Sequence, residues 1–294
     1  MQEVFGKMEK VVLERALYVV ATPIGNMGDA TLRMVQILKS CGHLFCEDSR
    51  VSRKLLEFYD LGERHLEIYN DNSDDRQRDY IVNLLEKGNS VALLCDAGTP
   101  TISDPGLKLK QRCRNSGLKI IPVPGASACI AAISASCLGS DRFFFRGFLP
   151  SPLEKRKQEL EELMARNETV ICYESPLRLI STLKIIADFD DNKMICVARE
   201  LTKMFEDIRT EKAGEMLVYY ENKFAGGRVK GEIVLLLEKN SRPRGLDLND
   251  LDSILKTSLK YLSLKNSAEF FSEALGLGKK EVYNKLLLLG ERHE

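Results

Sequence analysis

The sequence predicts an α/β protein of two sheet-and-helix domains followed by a small helical tail. Three observations predict it. Apolar runs of strand length alternate with amphipathic runs of helix length from Leu17 to Glu238, the pattern of a mostly parallel sheet covered by helices. Glycine- and proline-rich corners follow the runs, at Pro23-Ile24-Gly25-Asn26, Asp96-Ala97-Gly98-Thr99-Pro100, Asp104-Pro105-Gly106 and Pro124-Gly125-Ala126-Ser127. The alternation changes character near Phe143–Pro150 and stops at the polar stretch from Lys239 to Gly245. These breaks predict domains over 1–147, 148–242 and 243–294.

The elements follow in order. Leu17–Ala21 is continuously apolar and stops at Thr22-Pro23, which reads as a buried strand. Asp29 can cap a helix from Ala30 to Cys41. Leu44–Cys46 predicts a strand, Ser49–Tyr59 a helix, Leu66–Tyr69 a short strand and Arg76–Lys87 a helix. Val91–Cys95 is the clearest central strand. A helix over Pro105–Asn115 closes on Gly117 at its C′ position, before a strand at Lys119–Val123. Ser127–Cys137 is a helix of small residues, suited to close approach by a sheet or by another subunit.

The second domain reads as strand Phe143–Pro150, helix Leu153–Met164, strand Val170–Tyr173, helix Leu177–Asp188 and strand Met194–Ala198. An edge strand at Glu206–Thr210, a helix at Gly214–Asn222 and a final apolar strand at Gly231–Glu238 complete it. In the tail, Leu259–Ser263, Ser267–Phe271 and Leu277–Tyr283 suggest helix, turn and helix. Such a unit either binds nucleic acid or simply caps a domain.

Composition narrows the function classes. Forty-three basic residues balance forty-three acidic ones, so any nucleic-acid footprint has to come from local clusters. Candidate clusters are Arg50, Arg53 and Lys54; Lys155, Arg156 and Lys157; Arg228 and Lys230; and Arg242 and Arg244. The eight cysteines form no CxxC pair and mostly sit in apolar runs, as buried thiols of a reducing compartment do. The three histidines have no metal-ligand spacing, so a structural zinc is not expected. The opening residues carry charges and lack a signal-peptide core, and no uncharged run reaches membrane-spanning length. A cytoplasmic protein is expected.

Neither a GxGxxG fingerprint nor a GxxxxGK[ST] phosphate loop is present, which weakens dinucleotide and kinase readings. The strand-end corners are the better signal, because an open α/β sheet places its ligand at the carboxyl ends of its strands. Asp96 can hold an ammonium or a ribose hydroxyl beside the approachable main chain at Gly98. Ser127 is either a helix cap or a ligand contact. Glu47-Asp48-Ser49-Arg50 sets ionisable groups beside a strand end, and Glu174-Ser175-Pro176 with Arg199–Lys203 offers polar corners from the second domain.

These residues carry a resemblance. Leu17–Asn26 resembles the opening of the tetrapyrrole-methylase-like class of S-adenosylmethionine methyltransferases. Glu47-Asp48-Ser49-Arg50, Gly147-Phe148-Leu149-Pro150, Tyr173-Glu174-Ser175-Pro176, Arg199-Glu200-Leu201-Thr202-Lys203 and Lys230-Gly231-Glu232 narrow it to the branch of ribosomal RNA small-subunit methyltransferases I. That branch methylates the ribose 2′-hydroxyl of a decoding-centre cytidine in 16S rRNA. The resemblance implies a homodimer of two-domain α/β chains, with a mostly parallel first sheet, a mixed second sheet and a C-terminal helical unit. It implies S-adenosyl-L-methionine in the interdomain cleft and the 16S rRNA of the small ribosomal subunit as partner, with no metal.

Cofactor contacts are expected from Pro23, Gly25, Asp96, Ala97, Gly98 and Thr99, and from Pro124, Gly125, Ser127 and Ala128. From the second domain they are expected from Tyr173, Glu174, Glu200, Lys230 and Gly231. Glu47 is the first candidate for accepting the hydroxyl proton and Asp96 the second, with Arg50 holding a phosphate or orienting Glu47. Three departures stand out. Asn72-Ser73-Asp74 replaces His-Asn-Glu, Leu177 replaces a histidine, and Ala126 follows Pro124-Gly125 where proline is common. A tetrapyrrole-precursor methyltransferase and a non-catalytic ribosome-assembly protein are the rival expectations.

Overall fold

A computed structural model describes residues 9–225, 227–240 and 248–290. The opening eight residues, Gly226, Arg242 and Arg244 with the rest of 241–247, the expected boundary between 242 and 243, and the last four residues lie outside the described residues. The chain divides into two compact units, Met1–Lys239 and Asn240–Glu294, and both sheets belong to the first.

The first sheet is built from β1 (Ala16–Val20), α1 (Leu32–Ser40), β2 (His43–Cys46), α2 (Ser49–Phe58), β3 (Leu66–Ile68), α3 (Asp75–Glu86), β4 (Val91–Leu94), α4 (Leu107–Asn115), β5 (Lys119–Val123) and α5 (Ala128–Ala135). Its order is β3-β2-β4-β1-β5, and every pairing is parallel. Alternate side chains explain its layers. Tyr18, Val20, Leu44 and Leu94 pack on α1 and α2, whereas Leu17, Phe45 and Leu93 pack on α3 and α4. Strands buried on both faces read as unbroken apolar runs, which is how they looked in the sequence.

The second sheet uses β6 (Phe143–Phe148), α6 (Leu153–Met164), β7 (Thr169–Glu174), α7 (Leu179–Phe189), β8 (Met194–Arg199), β9 (Asp207–Lys212), α8 (Ala213–Lys223) and β10 (Ile233–Leu237). Its order is β6-β7-β10-β8-β9, parallel only between β6 and β7, hence mixed. The small-residue helix α5 packs Cys129, Ala132 and Ile133 onto Ile171, Ala198, Val234 and Leu236 of this sheet. Its short side chains therefore let a helix of the first half approach the second sheet.

Local chemistry moved several boundaries. Thr31, not Asp29, caps α1: its Oγ1 accepts the Met34 N–H at 3.0 Å. Asp29 instead closes a 3-10 turn over Met27–Asp29, where Asn26 Oδ1 accepts the Gly28 N–H at 2.8 Å. Helix α4 starts at Leu107 because Gly106 sits at φ +127°. It ends as expected, with Gly117 left-handed at φ +67°.

The second unit holds α9 (Leu248–Ser258), α10 (Leu264–Leu275) and α11 (Lys279–Gly290) around Leu255, Ala268, Phe271 and Leu286. Leu259–Ser263, expected as helix, is the turn between α9 and α10, because the Ser263 side chain caps α10. Among the described residues, no helix is long and apolar enough to cross a membrane.

Candidate active site

Two linked chambers open where the corners of both sheets meet. The larger has a volume of about 380 Å³, within the usual range for small-molecule sites. The first sheet contributes Ala97–Thr99, Ile102–Asp104 and the start of α5 at Ser127-Ala128. The second contributes Phe148, Tyr173–Pro176 and Gly231–Val234. The smaller chamber, about 210 Å³, lies between Pro23, Gly25 and Met27 on one side and Val51, Ser52 and Leu55 of α2 on another, with Asp96 and Lys203. Ile24, Ala97 and Glu232 line both.

The expected cofactor residues divide accordingly. Ala97, Gly98, Thr99, Ser127, Ala128, Tyr173, Glu174 and Gly231 line the larger chamber. Pro23, Gly25 and Asp96 line the smaller, which Ala97 shares. Pro124, Gly125, Glu200 and Lys230 line neither. Their surroundings show what they do instead. A Cβ on Gly125 would fall 2.9 Å from Cβ of Ala21, so glycine lets this turn cross the end of β1. The Pro124 carbonyl accepts the Thr31 hydroxyl at 3.4 Å, and that of Lys230 accepts from Arg199 at 3.3 Å. Glu200 Oε1 accepts from Lys203 Nζ and from the Glu232 N–H, both at 2.9 Å.

Gly98 needs its glycine for its φ of +78°. Its N–H and C=O are both committed to Thr22, at 3.1 and 2.8 Å. They are structural bonds, where the sequence reading offered them to a ligand. Ser127 makes no side-chain cap bond, which leaves its hydroxyl on the chamber wall in contact with Cys129 Sγ. The adjoining loops hold four non-glycine residues with left-handed backbone, Thr101, Ser103, Glu200 and Thr202. Each such residue costs about 1–3 kcal/mol, a strain that recurs at ligand sites.

Of the candidates for chemistry, Asp96 lines a chamber and Glu47 lines neither. Arg50 is exposed and bound bidentately by Asp48, with Nε to Oδ1 at 3.0 Å, and not by Glu47. Asp48 also caps α2, and Arg50 holds its carboxyl down at about 2. Asp104, in a corner noted in the sequence but given no role there, lines the larger chamber. Burial, then the charge of Glu47, lifts its carboxyl to about 6. Burial also raises Glu47 and Asp96, with the charge of Asp96 adding to the rise at Glu47 and the Asp48 N–H opposing the rise at Asp96. Asp104 on one chamber and Asp96 on the other thus resist ionisation, which suits neighbouring cationic ligand groups. No group of His, Cys, Asp or Glu fit to hold a metal occurs among the described residues.

Glu174 is almost wholly buried yet fully bonded. Its Oε1 accepts from the Ser175 N–H at 2.6 Å and Arg178 Nε at 2.9 Å, and its Oε2 from the Thr182 hydroxyl at 2.6 Å. Arg178 also reaches Ser151 Oγ and the Leu149 carbonyl. One carboxylate thus fixes the β7 and β6 corners against each other.

Residues 16–217 match the family model of tetrapyrrole (corrin/porphyrin) methylases. The chain is 41% identical to ribosomal RNA small subunit methyltransferase I of Rickettsia prowazekii over 277 residues, covering 93% of this chain and 97% of that protein. The protein of the same name in Mesorhizobium japonicum is 37% identical over 278 residues, covering 94% and 93%. The chain belongs to the ribosomal RNA small subunit methyltransferase I family, within the tetrapyrrole methylases. The solved uroporphyrin-III-C-methyltransferase of Thermus thermophilus shares the fold, with a TM-score of 0.51 at 17% identity over 76% of this chain and 94% of that one.

The departures from the family pattern are structurally satisfied. Ser73 Oγ accepts the Asn70 N–H at 2.9 Å, and Asp74 caps α3 through the Gln77 N–H at 2.9 Å. Leu177 is exposed and lines neither chamber. Ala126 offers its carbonyl to Thr99 Oγ1 at 3.1 Å. Sequence reasoning missed Ile102, Ser103, Phe148, Leu201 and Val234 in the larger chamber and Met27, Val51, Ser52 and Leu55 in the smaller. Only Phe148 and Leu201 lay inside quoted motifs. The others are ordinary core-type or loop residues without a signal of their own.

Proposed function

We propose that this protein transfers a methyl group from S-adenosyl-L-methionine to the ribose 2′-hydroxyl of a decoding-centre cytidine in 16S rRNA. The observation that carries the reading is the acidic larger chamber formed by the corners of both sheets. Asp104 and Glu232 supply carboxylates on its wall, and Ile102, Phe148 and Val234 supply apolar surface. That mixture fits a ligand with cationic groups and an apolar ring. When bound, S-adenosyl-L-methionine supplies a methyl carbon on a sulfonium, whose C–S electron pair stays on sulfur as the new O–C bond forms.

The chain's own work is alignment and proton removal. The carboxylates of Asp104 and Glu232 hold positive charge. The Glu174–Arg178 pair keeps the wall at Tyr173–Pro176 in place. Asp96, backed by Glu47, receives the hydroxyl proton late in transfer, since an alcohol becomes acidic only as its new bond forms. A homodimer and a cytoplasmic location belong to the same proposal. The exposed side chains of Phe148, Leu153 and Leu177 support the dimer, because Arg178 and Ser151 join their corners.

Tritiated S-adenosyl-L-methionine and small subunits lacking the modification test the reading. Label is expected on the 2′-oxygen of one cytidine of 16S rRNA. Label absent from ribose would sink it. A tetrapyrrole precursor fits less well, because its carboxylates would face Asp96 and Asp104, and the smaller chamber has too little room for a macrocycle.

A further inference from the structure

The smaller chamber has no assigned occupant. It shares three wall residues with the larger chamber, Ile24, Ala97 and Glu232. Its composition is that of a slot for a ring with a polar edge. Pro23, Ile24, Met27, Val51 and Leu55 provide apolar surface, and Ser52, Asp96, Lys203 and Glu232 provide donors and acceptors. Asp96 commits Oδ1 to the Asp48 N–H at 3.0 Å, and among the described residues its other oxygen accepts no hydrogen bond. Lys203 is held at the rim by Glu200 and Glu232 at 2.9 and 3.0 Å, so its position is set before any ligand arrives.

The wall helix has a second side. Val51, Ser52 and Leu55 of α2 face the chamber, and on the same turns Arg50, Arg53 and Lys54 are exposed to solvent. Arg50 is neutralised by Asp48, whereas Arg53 and Lys54 are in no salt bridge among the described residues. One helix thus couples a ring-sized slot to a cationic outer face. A polynucleotide needs that combination when one nucleoside leaves the stack and its flanking phosphates stay outside.

We propose that the smaller chamber is the acceptor-nucleoside subsite. One extruded nucleoside of an RNA strand inserts between the Pro23–Met27 corner and α2, its ribose toward the chamber shared at Ala97, with flanking phosphates on Arg53 and Lys54. This rests on the RNA methyltransferase reading above, and names the place of its substrate.

The test uses the full chain, unmodified small subunits and tritiated S-adenosyl-L-methionine. Val51→Phe fills the slot from α2 without touching the larger chamber. It is expected to keep cofactor affinity within about twofold by calorimetry and to lower kcat/KM for subunits about a hundredfold, the size of effect that misplacement of a reacting group produces. The double variant Arg53→Ala/Lys54→Ala is expected to raise the subunit KM about tenfold, leave kcat within about twofold, and reduce the salt dependence of binding by about two counterions.

Undiminished methylation by Val51→Phe overturns the subsite. If Val51→Phe loses cofactor binding as well, Met27→Trp fills the slot from the opposite wall and decides by the same criterion. A parent chain that labels no ribose overturns the RNA reading itself. A labelling parent with equally active slot-filling variants overturns the subsite alone.

Discussion

The backbone N–H of Asn26 donates to Oγ1 of Thr202 over 3.0 Å, joining corners 176 residues apart in sequence. Beside this bond, Gly25 lies so close to Lys203 that a Cβ would fall 2.5 Å from its Cγ. Lys203 cannot swing aside freely, because Glu200 and Glu232 hold its ammonium. Gly25→Ala is therefore expected to displace Lys203 from both carboxylates and to destabilise the fold by about 1–3 kcal/mol, the range for losing hydrogen bonds to a charged group. Urea denaturation checks this, and an unchanged midpoint would show that Lys203 yields without losing either carboxylate.

Glu174→Gln tests the bond network at the end of β7. The amide cannot balance the Arg178 guanidinium, which is largely buried. Removing one partner of such a pair costs about 3–5 kcal/mol. Urea denaturation is expected to show that loss with an unchanged m-value. Replacing Glu174 and Arg178 together by apolar residues is expected to cost less than the single change.

The Asp104 carboxyl makes stability depend on pH. Its value of about 6 in the fold lies above its ordinary 3.8. Below pH 3.8 the acid is neutral whether folded or unfolded, and its contribution to stability is fully present. That contribution falls as pH rises through about 6, because ionisation is costlier inside the fold. Asp104→Asn is expected to match the parent near pH 4 and to exceed it at pH 8 by about 1 kcal/mol, allowing for the group's partial exposure. Thermal melts without cofactor read this. With a cationic cofactor the parent's affinity is expected to rise through pH 6 and level off, whereas the variant's stays flat.

Gly106→Ala isolates a backbone requirement. At φ +127° an L-residue is strained, and its Cβ would fall 2.8 Å from Leu93 Cδ2 and 2.9 Å from Thr101 Cγ2. A destabilisation of about 1–3 kcal/mol is expected from the backbone alone, with more from overpacking. A melting point equal to the parent's would show that the Asp104 loop rearranges cheaply.

The layers of the fold were legible because strands such as β4 and β10 are apolar on both faces, and because the helices between them carry one apolar stripe. The caps were less so. Asp29 and Thr31 both suit a helix start, and only the 3-10 turn at Met27–Asp29 decides between them. Site residues on glycine corners were visible as motifs. What those motifs could not reveal is whether a group faces the ligand or its own chain. Gly98 spends its amide on Thr22, and Glu200 spends its carboxylate on Lys203 and Glu232. The walls supplied by Val51, Leu55 and Val234 left no trace, since a pocket-lining aliphatic has the same side chain as a core one.

The larger chamber draws its walls from Ile24 through to Val234. The strand that brings Val234, β10, lies between β7 and β8 in the second sheet. As a growing chain leaves the ribosome, every earlier strand of this sheet emerges before the one that belongs at its centre. No fragment ending before β10 can possess the complete pocket. Occupancy of the pocket therefore stabilises only the complete unit. At a hundredfold excess of ligand over its Kd it would add about 2.7 kcal/mol to the finished unit and nothing to unfinished ones.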